Sequence, residues 1–191
     1  MLAKHGPAVG SPGVEHQNFW SEYQPGFRFA THPVGSPEFY REVSEYRDSI
    51  EPHIPDVVHF ERWAGKDVLE AGCGIGTDGR RFAAAGARYT GFDFSPSARA
   101  LAKRRFAQEG LEGRLVGGSI TRLPFQEGSF DLVFSHGVIH HTEDTEGTVR
   151  EFYRVLRPGG TALVMVYHRG SLNYHVSVSY THLTLPTIYS V

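Results

Sequence analysis

This 191-residue chain is short of several things, and each shortage removes a class of function. It has one cysteine, Cys73, so it cannot form an internal disulfide, and a single thiol suits a reducing compartment. It has little net charge: 19 Lys and Arg against 21 Asp and Glu give −2 at pH 7, which is no basic footprint for nucleic acid. The pairs Arg80/Arg81 and Arg104/Arg105 fall on predicted helices and are expected to be solvated. No apolar run approaches the roughly 20 residues that span a bilayer. Lys4 is not followed by the continuous apolar stretch of a secretory signal. A cytoplasmic protein working away from membranes and nucleic acid is the expectation. The eleven histidines form neither an HExxH motif nor a Cys/His cluster, so no metal is expected. With 40% apolar residues there is enough material for one globular domain with a sizeable core.

Glycine is not scarce, and its placement is the strongest local signal. Glu70-Ala71-Gly72-Cys73-Gly74-Ile75-Gly76 follows the apolar pair Val68-Leu69 and opens a predicted helix. Alternating glycines let the backbone turn sharply and come close to a ligand. A second strand-like run, Arg88 to Phe92, ends in Asp93, where a carboxylate can accept hydrogen bonds from both hydroxyls of a ribose. The pair implies a nucleoside cofactor lying across the ends of adjacent parallel strands.

Residues 1–18 are rich in Gly, Pro and His without periodicity and are expected to be a disordered arm. Residues 19–65 are aromatic and broken by proline. Phe39, Tyr40, Val43 and Tyr46 recur at helical spacing after Ser36-Pro37, a cap residue and a first-turn proline, and a second short helix is expected between Pro55 and Trp63. Two roles fit this block, a cover for one end of the sheet or a lid over the cofactor. From Lys66 the pattern is regular. Strands are expected at Asp67–Glu70, Arg88–Phe92, Arg114–Val116, Phe130–Phe134 and Thr161–Tyr167. Helices are expected at Thr77–Ala85, from Pro96 to Gly110 and over Thr145–Leu156. Strands alternating with helices predict an α/β, doubly wound, mostly parallel Rossmann-like sheet with helices on both faces, the core occupying residues 66–175.

Gly74-Ile75-Gly76-Thr77-Asp78-Gly79 satisfies GxGxxG, but a pyrophosphate on the following helix would face Glu70 and Asp78. A ligand carrying positive charge suits that rim better. None of the lysines, Lys4, Lys66 and Lys103, lies four residues after a tyrosine, so the Tyr-x-x-x-Lys pair of short-chain dehydrogenases is missing. Five ordered segments, namely Glu70 to Gly76, Asp93-Phe94-Ser95, Leu123-Pro124-Phe125, Ser129 to Val133 and Arg154 to Gly160, resemble the motifs of class I S-adenosylmethionine-dependent methyltransferases. Val138-Ile139-His140-His141-Thr142 after the fourth strand resembles the small-molecule branch. The resemblance covers about Lys66 to Tyr167. It implies S-adenosyl-L-methionine as cofactor and methyl transfer to a small molecule by direct displacement. A nicotinamide-dependent oxidoreductase and a non-catalytic cofactor-binding fragment are the alternatives.

Carried over by position, Glu70, Ala71, Gly72, Cys73, Gly74 and Gly76 would cradle the methionine part, with Glu70 near its charged amino end. Asp93 would grip the ribose and Phe94 flank the adenine. Ser119 and Ile120 would contact the adenine edge, although Ser119 stands where the family often has an acid. Ser135, His136 and Gly137 would line the floor beneath the sulfonium. His136 and His140 are the candidate catalytic bases, because imidazole titrates near neutral pH; packing or capping is the competing role for His140.

A complete fold of this family adds a last helix and an antiparallel strand pair, which the chain is too short to supply. Val178 to Thr187 resembles a translated sequencing-library adapter, so residues 176–191 are expected to be non-native and strand 5 to be left as an open edge.

Overall fold

The computed structural model describes residues 27–167 and the backbone of 180–185. The expected arm at 1–18, the start of the aromatic block and residues 168–179 and 186–191 lie outside it.

Ser36 and Pro37 start the first helix as their chemistry requires. Ser36 Oγ accepts the Phe39 N–H at 3.1 Å, and helix α1 runs Pro37–Ile50. A short helix α2 (Ile54–Val58) and a 3-10 turn (Phe60–Trp63) follow. The core then alternates: β1 (Asp67–Ala71), α3 (Gly79–Ala84), β2 (Arg88–Asp93), α4 (Pro96–Gln108), β3 (Arg114–Gly117) and β4 (Phe130–His136). A 3-10 turn (Ile139–His141), α5 (Thr145–Val155) and β5 (Leu156–Tyr167) complete it. The strand order is β3-β2-β1-β4-β5, all parallel, so the chain reverses direction across the sheet between β1 and β4. The crevice outside the carboxyl ends of β1 and β4 is where such sheets bind ligands.

Period-two alternation sorts the strands onto two cores. Leu69, Ala71, Phe92, Val133 and Val164 face Phe152 and Val155 of α5. Val68, Tyr89, Leu132, Phe134 and Leu163 face Phe82 of α3 and Phe106 of α4. Each fully buried side chain of this size contributes about 1.5–3 kcal/mol.

Two expectations about strand 5 change. Leu156 already pairs with Phe130, and the next pair is Thr161 with Leu132. Arg157 to Gly160 therefore bulge out of a continuous strand instead of separating helix from strand, with Gly159 at φ +78° taking the bend. A sixth strand, β6 (Tyr180–Leu185), pairs antiparallel with β5 from Ala162↔Leu185 to Tyr167↔Tyr180. The outer edge of β5 is thus covered by one antiparallel strand, and the open-edge expectation is corrected. Ladder bonds depend on backbone groups alone, so the segment expected to be non-native satisfies them as well as any other.

The arginine pairs also differ from expectation. Arg105 is 1% exposed, with Nε on Glu109 at 2.8 Å, Nη2 on Ser44 Oγ at 2.5 Å and its guanidinium over the Tyr40 ring. Arg81 pairs with Asp48, and Arg80 with Glu109 at 3.7 Å. These side chains fasten α1 to α3 and α4. Only Arg104 is exposed as expected.

Candidate functional site

The loop between β1 and α3 takes the shape its glycines allow. Gly72, Gly74 and Gly76 have φ of +87°, +52° and +74°, a region L side chains avoid. Gly72 also needs to be small: a Cβ there would overlap the methyls of Val138, in the segment after β4. Cys73 is buried, its Sγ 3.8 Å from the Gly74 carbonyl, and burial pushes its thiol well above the ordinary range. It packs, and its thiolate is suppressed.

Asp93 connects this loop to the next one. One carboxylate oxygen accepts the Gly74 N–H at 2.8 Å and the other the Ser95 N–H at 2.9 Å. Burial raises its pKa, opposed by those backbone bonds. An ionised carboxylate has about four acceptor sites, so with backbone donors on it Asp93 keeps capacity for a further donor such as a ribose hydroxyl. Arg99 of α4 donates to the Asp93 carbonyl at 2.6 Å and packs against Gly117 at the end of β3.

Glu70 lies behind the loop. Its Oε2 accepts the Tyr89 hydroxyl at 2.5 Å, and a Cβ on Gly79 would come within 2.7 Å of the same oxygen. Burial, then the nearby Asp78 carboxylate, pushes its pKa well up. The Glu70 side chain supports the loop from beneath, on the face it shares with Tyr89 and α3.

β4 pairs with β1, the strand that leads into the loop. Ser135 is fully buried and donates to the Ala71 carbonyl at 2.9 Å, fixing β4 against the start of the loop. Gly137 has φ +73° and donates to the Met165 carbonyl. His136 presents Nε2 to Glu51 Oε1 at 3.4 Å, ion-pair distance. His140 lies in the 3-10 turn with its ring centroid 4.1 Å from that of His141, and burial first, His141 second, holds its pKa down to about 4. Ser119 is exposed and shares a 2.8 Å bond with Thr121 Oγ1, whereas Ile120 is buried in the core on the α5 side. Phe94 is half-buried at the end of β2.

The structure adds residues that the sequence did not single out. Ile75 of the loop packs with Phe39, Tyr40 and Val43 of α1, so the aromatic block sits on the glycine loop itself. Arg47 of α1 pairs with Glu51 and, at 2.7 Å, with Asp78 where the loop enters α3. Asp78 Oδ1 is buried with no hydrogen-bond partner. Three buried carboxyl groups, Glu51, Glu70 and Asp78, thus surround one guanidinium, and burial pushes the pKa of Glu51 and Glu70 up, toward their neutral forms. Among the described residues no group of His, Cys, Asp and Glu is arranged to hold a metal ion. None of the described helices is long and apolar enough to cross a membrane.

Fold and loop together define a doubly wound domain in which the glycine loop and Asp93 meet at the carboxyl ends of β1 and β2. A family model described as "Methyltransferase domain" matches residues 69–164, half of the chain, and the chain belongs to that family. It is 37% identical over 108 residues to a probable S-adenosylmethionine-dependent methyltransferase of Mycolicibacterium smegmatis, covering 56% of this chain and 40% of that protein. It is 33% identical over 108 residues to a malonyl-[acyl-carrier protein] O-methyltransferase of Serratia marcescens, covering 56% and 41%. Among solved structures it superposes on an arsenic(III) S-adenosylmethionine methyltransferase from Chlamydomonas reinhardtii with a TM-score of 0.52 and 29% identity, over 56% of this chain and 40% of that one. The chain therefore spans about two fifths of the length of these relatives.

Proposed function

We propose that the protein binds S-adenosyl-L-methionine and transfers its methyl group to a small molecule. The observation that carries this is the Gly74–Asp93 bond, which joins the glycine loop to the acid at the end of β2 and leaves that acid able to accept further hydrogen bonds. The donor set fits the cofactor: Gly72, Gly74 and Gly76 allow close backbone approach, and Asp93 holds the ribose. When bound, the cofactor supplies an electrophilic methyl group, and displacement of this kind is accelerated chiefly by alignment. The chain's part is to hold the loop, through Ser135 on Ala71 and Val138 on Gly72, at a fixed distance from the floor residues His136 and Gly137.

The small-molecule acceptor is supported by relatives whose names specify an acyl-carrier-bound malonyl group or, in a Thermus thermophilus relative 38% identical over 84 residues, demethylmenaquinone. The nicotinamide reading is disfavoured by the absent Tyr-x-x-x-Lys pair. Titration calorimetry with S-adenosylhomocysteine and with a nicotinamide dinucleotide tests the proposal. Binding of the first alone is expected, weakened about 10- to 100-fold in Asp93→Ala, as for loss of hydrogen bonds to a charged group. Binding of the dinucleotide alone, or equal affinity in the variant, would overturn it.

A further inference from the structure

Glu51 is a carboxylate whose position stability does not explain. It closes α1 at its C-terminal end, where the helix dipole disfavours negative charge. It is 1% exposed, and burial pushes its pKa up. Arg47, one turn earlier, pairs with Oε2 and uses its other arm on Asp78. Oε1 faces β4, with His136 Nε2 at 3.4 Å. The His136 side chain is 7% exposed and stands at the last position of β4, at the carboxyl end of the sheet and on the same face as Phe134 and Glu70. A buried charge pair is often no more stable than apolar side chains of the same volume. What a carboxylate does for a neighbouring imidazole, and an apolar group does not, is fix its orientation and favour its protonated form.

We propose that Glu51 is a positioning residue that holds His136 as the base for a methyl acceptor whose oxygen or nitrogen carries a proton. The inference deepens the methyltransferase reading and rests on it. In the step assigned to His136 the acceptor's X–H bond breaks, its electron pair stays on X, and the proton forms an N–H bond on the ring nitrogen not facing Glu51. The imidazolium then lies beside the Glu51 carboxylate. Among the described residues the other charged groups facing that carboxylate are Arg47 from α1 and Asp78 from the loop ahead of α3. Arg47 compensates Glu51 and Asp78 together, so part of the Glu51 charge is left for His136.

The test is an NMR titration of the His136 imidazole in the full chain, as wild type, Glu51→Gln and Glu51→Asp. Glu51→Gln is expected to lower the His136 midpoint by about one pH unit, a roughly tenfold loss of proton affinity, and Glu51→Asp to restore part of it. An unmoved midpoint in Glu51→Gln overturns the proposal, since a purely structural Glu51 would alter melting without altering this titration. Should Glu51→Gln fail to fold, His136→Asn is followed through the Glu51 carboxyl carbon. A displaced Glu51 titration then supports the pair, and an undisplaced one overturns it. Calorimetry of the wild type with S-adenosylhomocysteine separates the two levels. Binding with an unmoved His136 midpoint removes only the positioning role. Absence of binding removes the methyltransferase reading, and the base role with it.

Discussion

Val138 fills with its two methyl groups the space that a Cβ on Gly72 would need. The first glycine of the loop is therefore constrained twice, by its φ of +87° and by a neighbour from a different strand end. Gly72→Ala should cost about 1–2 kcal/mol for the left-handed backbone alone, and more for the displaced valine. A lowered melting temperature with S-adenosylhomocysteine affinity reduced at least about tenfold is expected. The double variant Gly72→Ala/Val138→Ala should recover stability but not all of the affinity. Full recovery of both would show that the φ constraint is unimportant.

Tyr89→Phe isolates the support beneath the loop. The variant keeps the ring stacked on Phe106, at 5.4 Å between centroids, and removes only the hydroxyl that donates to Glu70. A buried carboxyl that loses its donor should destabilise the fold by about 1–3 kcal/mol. Urea denaturation at neutral pH measures it, and a change below a few tenths of a kcal/mol would mean that Glu70 has found another partner.

Acid should weaken the opposite rim of the sheet through Asp67. Hydrogen bonds from Arg88 and Arg157 hold the Asp67 carboxyl down to about 2, below its ordinary 3.8. A folded-state pKa below the unfolded one gives stability that is complete above about pH 4 and lost as pH falls toward 2. The pairs are partly solvated, so the contribution is on the order of 1 kcal/mol. Denaturation curves at about pH 5 and pH 2.5 should differ less in Asp67→Asn than in the wild type.

His140 acts in a higher window. Its pKa of about 4 lies below the unfolded value near 6.5, so the folded state holds it neutral where the unfolded chain would protonate. Stability is complete above about pH 6.5 and declines toward pH 4, by on the order of 1–2 kcal/mol for a half-buried ring. His140→Gln should flatten the stability profile across that interval. An equally steep profile in the variant would assign the decline to other groups.

The parts of the site that the sequence made legible are those whose chemistry is local. Alternating glycines, a carboxylate ending a strand and Ser-Pro helix starts carry their conformations with them, and each lies where its pattern predicts. What stayed hidden depends on long-range partners. Arg105 reads as a solvated charge, and no pattern singles out Arg47 and Glu51, yet Arg105 and Glu51 are buried and Arg47 partly so because α1 is laid across the loop and α4. Glu70 and Asp78 could be recognised as an acidic rim, but that the Tyr89 hydroxyl would donate to Glu70 depends on the pairing of β1 with β2. The Arg157-Pro158-Gly159-Gly160 segment has the composition of a helix stop, and nothing local says that the strand resumes on both sides of it.

The two backbone bonds accepted by Asp93 carry one more implication. They tie the two loops together as part of folding, so their ordering entropy is spent in folding. If Asp93 holds the cofactor as proposed, a library of variants in this neighbourhood ranked by resistance to heat in plain buffer would also be ranked for readiness to bind.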